Sequence, residues 1–276
     1  MNDAFWRDPP WRGGKGGYRM ALRPIEAARW LPDPISTTER ARKLALLADP
    51  TTLVHAELEA SLPGQQLVLA AVERHLRSSA PATPGIDSPL VRAALLVPDD
   101  LCLMQREADR YRLTAACVCS PSYWHLADKI GRTLDGIHAP VPTLNAKLAA
   151  TMAQFFDRLP ADAVFERRNW LIHRDDTPYH PTPESWPAVD RDDVAELFMR
   201  SERQTLRRLD ETSIAFTIRV SCHRLGEIVG YPNAMRDLLT AFDAMDADER
   251  SASGYVRYGA AVTAYLRDAL TATCAL

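Results

Sequence analysis

The chain has 276 residues, 46% hydrophobic and 25% charged, and its 33 Lys and Arg fall just short of its 36 Asp and Glu, for a formal charge of −3. This is the composition of a globular protein that buries its own core, and it lacks the basic excess of a general nucleic-acid binder. Five cysteines, an odd number at this length, do not make a secreted disulfide framework, and no apolar run reaches signal-peptide or membrane-span length; a cytoplasmic protein with no nucleic-acid and no membrane partner is expected.

Residues 1–37, rich in Pro, Gly, Trp and Arg, read as an irregular N-terminal arm. The cluster Gly13-Gly14-Lys15-Gly16-Gly17 lies in it, without the residue order or the preceding strand of a phosphate loop. Residues 38–90 read as a helical section packed on the core. Leu44, Leu46 and Leu47, then Leu53, Val54 and Leu58, then Leu67, Val68, Ala71, Val72 and Leu76 recur at helical spacing, and a Pro-rich loop over 78–89 closes the section.

The texture changes near Val91, where a core over 91–225 begins. Residues 100–105 and 111–119 read as a β-hairpin. A helical crossing over 122–137 follows, then Pro140-Val141-Pro142, then a helix over 144–159. Three more strands are expected over 164–173, 197–206 and 213–222, the last with Ile214, Phe216, Ile218 and Val220 alternating on one face. Two helices, over 234–245 and 254–271, finish a C-terminal section that starts at 226. Two strands, a helical crossing and three strands give an α+β expectation: a PAS-like antiparallel five-stranded sheet roofed by crossing helices, flanked by N- and C-terminal helices in one compact unit.

Several motifs carry little. His173-Arg174-Asp175 imitates a kinase catalytic loop, but His180 stands where Asn is required and no D-F-G follows; there is no G-x-S-x-G nucleophile elbow. Cys117 and Cys119 lack a second pair at metal-ligand spacing and read as buried structural thiols. His138 is more informative. Ala139 precedes a proline and is pushed to extended backbone, so His138 sits where the crossing breaks, between Ile137 and Val141. Such an imidazole suits the proximal position of a haem iron, but on this pattern alone a structural histidine satisfied by a backbone carbonyl is the better reading.

The strand candidates are unusually polar. Arg167, Asn169 and His173 share one face by the period of two, Arg200, Glu202 and Gln204 share another, and Arg219 interrupts the apolar run around it. Arginines on adjacent strands suit haem propionates or bound oxygen, and equally cross-strand Arg–Glu pairs on a solvated face.

Taken together, Ser120-Pro121-Ser122-Tyr123-Trp124, the run Asp128-Lys129-Ile130-Gly131-Arg132 to Ile137-His138-Ala139-Pro140-Val141-Pro142, Arg167-Arg168-Asn169-Trp170, Glu202-Arg203-Gln204-Thr205-Leu206 and Phe216-Thr217-Ile218-Arg219 resemble the haem-dependent oxidative N-demethylase family, in its haem-carrying alpha subunit. The resemblance extends over most of the chain. It implies haem b, and hence iron, in a PAS-like pocket, with electrons from NADPH arriving through partner flavin and iron–sulfur reductase subunits and with O₂ oxidising a small secondary amine to a primary amine and formaldehyde. It implies His138 as the metal ligand. Arg219 and Glu202 become catalytic candidates that polarise oxygen and orient the amine, and Arg167, Arg168, Arg203 and Gln204 become candidates for cofactor contacts. The chain has no dinucleotide fingerprint and no iron–sulfur cysteine cluster of its own, so an oxygenase of this kind borrows its electrons. The alternative is a non-enzymatic PAS-type haem, gas or redox sensor or haem-binding subunit; the absence of a coiled-coil, kinase or DNA-reading output module favours the enzyme.

Overall fold

The computed structural model describes residues 3–14, 19–80, 83–138, 142–161, 163–182 and 189–274. Lys15, Gly16 and Gly17 of the glycine cluster, and Ala139, Pro140 and Val141 beside His138, lie outside the described residues. In chain order the elements are α1 (Asp3–Arg7), β1 (Arg23–Ile25), α2 (Thr37–Ala48), β2 (His55–Glu57), α3 (Leu62–Leu76), α4 (Pro89–Ala94), β3 (Asp100–Glu107), β4 (Arg110–Cys117), α5 (Leu134–Ile137), α6 (Pro142–Arg158), β5 (Val164–His173), β6 (Phe198–Arg208), β7 (Ser213–Arg224), α7 (Pro232–Ala244), α8 (Ala247–Ala252) and α9 (Tyr255–Cys274).

The strands form one antiparallel sheet in the order β1-β5-β6-β7-β3-β4-β2. The α+β class is as expected, but the sheet has seven strands rather than five. The two extra strands are three-residue edges, β1 on β5 and β2 on β4. Segments as short as Arg23-Pro24-Ile25 and His55-Ala56-Glu57 carry no alternation to read, and they become strands only because an edge offers them partners. β2 also replaces the helical turn expected around Leu53, Val54 and Leu58. Asp49 ends α2, and the backbone of Val54 and Leu58 then bonds to Val118 and Thr114 as a continuation of the ladder.

The crossing expected as helix over 122–137 is mostly irregular. It contains a 3-10 turn at Leu126–Asp128 and the single turn α5. Its polar backbone groups go to the edge of β4 instead: Gly131 N–H donates to Leu113 O at 2.7 Å, Leu113 N–H to Arg132 O at 3.0 Å, and Thr133 bridges Arg112. Gly131 makes this possible by taking φ 74°, which costs a residue without Cβ little.

Because side chains alternate across a pleated strand, register assigns each to a face. On one face Cys102, Met104, Ala116, Leu206 and Ile214 pack with Leu126, Phe156 and Leu159 of the crossing, and with Leu134, Ile137, Phe155, Phe165 and Phe216 at its margin. This is the roofed face. The opposite face is covered twice: Leu101, Leu103, Ala115, Cys117 and Ala215 pack against α3, α4 and Trp30, while Ile172 and Met199 pack against α7, α9, Trp6 and Trp11. The N-terminal segment therefore contributes a helix, an edge strand and three fully buried tryptophans, Trp6, Trp11 and Trp30. Cys117 and Cys119 are fully buried, in keeping with structural thiols, and among the described residues no group of three or more His, Cys, Asp and Glu is placed to hold a metal ion.

One buried cation fixes how α2 meets the sheet. Lys43 is fully buried, and its Nζ donates to Ala94 O and Val97 O at 3.0 Å each and to Asp99 O at 2.6 Å. An ammonium is tolerated there because its three protons are used. Replacement by an apolar side chain of similar length strands three buried carbonyls. Lys43→Met should therefore cost about 3 kcal/mol, read as a lowered urea midpoint at unchanged slope; a midpoint equal to wild type would mean that other donors reach those carbonyls.

Candidate functional site

His138 is the C-terminal cap of α5, with φ −92° and ψ 5°, at the break in the crossing where the sequence puts it. Its Nδ1 lies 2.8 Å from Leu134 O. A carbonyl only accepts, so Nδ1 carries the proton and the neutral ring keeps its lone pair on Nε2. Burial lowers the pKa of His138, and the cationic Arg167 and Lys129 act in the same sense, while the bond to Leu134 opposes them. The ring is thus held neutral in one tautomer. Its seat is fixed from behind, since Lys129 Nζ donates to Ile137 O at 2.6 Å and Ile137 N–H to Thr133 O at 2.8 Å.

Beneath this roof the sheet turns polar. Register places Arg167 opposite Gln204 and Asn169 opposite Glu202, all on the roofed face. Three donors converge on Glu202, which is 7% exposed: the Ser122 hydroxyl reaches Oε1, and Gln204 Nε2 at 2.8 Å and Asn169 Nδ2 at 3.3 Å reach Oε2. Arg167 has the opposite problem. Its Nε is buried with no hydrogen-bond partner, and burial lowers its pKa against the attraction of Glu202. A buried guanidinium with an unused donor is costly, and an anion is what would relieve it.

Next to Glu202, Arg200 is fully buried and fully engaged. Its Nε donates to Ser122 Oγ at 2.9 Å; its terminal nitrogens donate to Ser120 O and Pro178 O at 2.9 Å and to Pro121 O and Thr177 O at 3.3 Å. Beyond it, the His173 ring is fully buried, stacked on Tyr123 at 4.7 Å and edge-on to His180 at 4.7 Å, and His180 meets Asp175 at 3.0 Å. Tyr123 holds a left-handed φ of 61° as its N–H donates to His180 O.

The structure thus brings together His138, Arg167, Glu202 and Gln204. It does not bring Arg168, Arg203 and Arg219 to them. Those three pair with one another in register on the opposite face. There Arg203 Nε donates to Glu166 at 2.6 Å and its terminal nitrogens to Trp30 O and Arg29 O; Arg168 donates to Asp8 O at 2.6 Å; Arg219 stands 3.5 Å from buried Asp99 and 3.6 Å from Asp33. They fasten the N-terminal segment to the sheet. Sequence reasoning left Ser122, Asn169 and Arg200 out of the site. Asn169 and Arg200 share a strand face with residues it did choose, so the period of two held their signal; Ser122, in an irregular loop, had none.

The buried histidines set an acid limit. Burial, with the charges of Arg200 and His180, pushes the pKa of His173 down to about 2, and burial pushes that of His223 down to about 4. An unfolded imidazole titrates near 6.5, so the neutral folded rings contribute stability that is complete above that value and lost as the pH falls. For His173 the loss between pH 7 and pH 5 is about 2 kcal/mol. His173→Phe should flatten the acid-side decline of the urea midpoint by that much; a decline parallel to wild type would mean that the His173 ring accepts its proton in place.

A family model described as haem-dependent oxidative N-demethylase, alpha subunit-like, matches residues 62–263, from α3 into α9 and including β3 to β7 and the crossing between β4 and β5. No curated protein matches the chain.

Proposed function

The chain belongs to the haem-dependent oxidative N-demethylase, alpha subunit-like family, and from that premise we propose that it is the haem-carrying component of an oxidase that demethylates a small amine. The proposal places haem b between the roof and the polar face of the sheet, takes a secondary methylated amine and O₂ as substrates, and draws electrons originating from NADPH through partner flavin and iron–sulfur subunits. The order β4-β3-β7-β6-β5 within the sheet, with the crossing between β4 and β5 roofing one face, supports a PAS-like core for it.

The observation that carries the proposal is the state of His138. A proximal ligand needs a neutral imidazole whose second nitrogen is fixed by a hydrogen bond, and Leu134 O fixes Nδ1 while Nε2 keeps the lone pair. Arg167, with its partnerless buried Nε, suits a haem propionate, and Ile137, Phe165 and Phe216 supply apolar surface. When bound, haem supplies the iron chemistry by which O₂ oxidises an N-methyl group. The protein's own part is to bind and orient. Glu202 takes the ammonium group of the substrate, and Asn169 and Gln204 hold the carboxylate still. In this reading Arg168, Arg203 and Arg219 act as the N-terminal clamp, away from the cofactor.

Haem loading tests the ligand. Purified wild-type protein expressed with haem precursor should show a stoichiometric Soret band, with a reduced CO spectrum of histidine rather than thiolate type. His138→Ala should lose the band while far-ultraviolet circular dichroism stays that of the folded chain. Full loading of His138→Ala would remove His138 as the ligand, and no haem uptake by folded wild type would sink the proposal.

A further inference from the structure

Glu202 is positioned by a residue two steps back in the hydrogen-bond network, and the direction of each bond can be read from the donors. Arg200 Nε–H has only a proton to give, so Ser122 Oγ accepts from it at 2.9 Å. The hydroxyl proton of Ser122 is then left to point elsewhere, and the group within its reach is Glu202 Oε1. The guanidinium does not move to suit, because it also donates to the carbonyls of Ser120 and Pro121 in one loop and of Thr177 and Pro178 in another. The loop carrying Ser122 is gripped from its other side as well: Asp100 accepts Cys119 N–H at 2.9 Å and Ser120 N–H at 2.8 Å, and Arg42 donates to Cys119 O at 2.8 Å.

Charge accounting gives this network a purpose. Two guanidiniums, Arg167 and Arg200, stand near one carboxylate, which by itself would repel a cationic substrate. The charge of Arg200 is spread over four carbonyl dipoles, and on the reading above that of Arg167 is committed to a cofactor anion. Glu202 is then the carboxylate left to face a cation, and Ser122, Asn169 and Gln204 all donate to it.

We infer that Ser122 and Arg200 are positioning residues that fix Glu202 as an acceptor-only receptor, so that the site takes its amine as the ammonium ion and discriminates against uncharged molecules of the same shape. The inference rests on the proposed haem site, and it concerns binding rather than turnover. Its test titrates haem-loaded wild type, Ser122→Ala and Ser122→Thr with dimethylammonium and with dimethyl ether, its uncharged analogue, following the shift of the Soret band.

Wild type should favour the cation. Ser122→Ala should weaken dimethylammonium about tenfold, with haem occupancy and ether affinity unchanged, and Ser122→Thr, which restores a hydroxyl, should recover most of the loss. Equal affinity for the cation in wild type and Ser122→Ala would overturn the inference, as would a loss of cation and ether together, which is the mark of a merely structural role. Failure of the wild-type protein to take up haem is a different result: it overturns the reading on which the inference rests, and the inference with it. In the haem-free chain, Ser122→Ala and Glu202→Gln should be non-additive in the unfolding constant, and additivity would overturn the bond between them whatever the cofactor does.

Discussion

A guanidinium removed from water must have its donors used, and the fully buried Arg200 meets that requirement by tying together parts of the chain that are far apart in sequence. It rises from the middle of the sheet, reaches the 120–122 loop through three bonds and the 177–178 loop through two, and so joins the start of the crossing to the segment that follows β5. The roof over the polar face depends on that junction. The left-handed turn at Tyr123, the stack of Tyr123 on His173 and the bond from Ser122 to Glu202 all lie within two residues of a carbonyl or hydroxyl that Arg200 holds. The same logic, on a smaller scale, governs Lys43, whose ammonium is used by the carbonyls of Ala94, Val97 and Asp99.

How much of this was legible in the sequence depended on whether a signal was local. The five long strands, eight to twelve residues each, were legible because each gives a run long enough to read, with clean apolar alternation in β7. The edges β1 and β2 were not, since three residues define no period. The crossing is expected as helix, but its local sequence says nothing about competing partners, and the free edge of β4 takes the backbone bonds that a helix would have made.

The site shows the same division. Alternation separates Arg167 from Arg168 and Glu202 from Arg203, yet it cannot say which face lies under the roof, because arginines stand on both. What distinguishes the faces is long-range. Asp8, Asp33, Asp99 and the carbonyls of Arg29 and Trp30 arrive from the first hundred residues to pair with Arg168, Arg203 and Arg219, and nothing in residues 164–224 announces that they will. Once those partners are counted, the two sets of arginines differ in kind. The set on the clamped face stands against carboxylates and carbonyls of the chain itself, although Arg219 Nη1 there also makes no hydrogen bond, whereas Arg167 has a buried Nε with no hydrogen bond and Glu202 as its counter-charge.

That difference bears on why a fold would keep such a polar interior. A fully satisfied network specifies a rigid structure, and a partly satisfied one weakens it unless something else completes it. On the roofed face two groups bear on this: the lone pair of His138 Nε2, held on a neutral ring by burial and by Leu134, and the Nε of Arg167, which is buried with no hydrogen-bond partner. One wants a Lewis acid and the other an anion. In the proposed reading a single group carrying both a metal and a carboxylate meets both demands at once, and the family match over residues 62–263 covers β3 to β7 and the crossing on that face. Glu202 differs from both, because Ser122, Asn169 and Gln204 already donate to it, and in the proposed reading it then faces a ligand that brings positive charge.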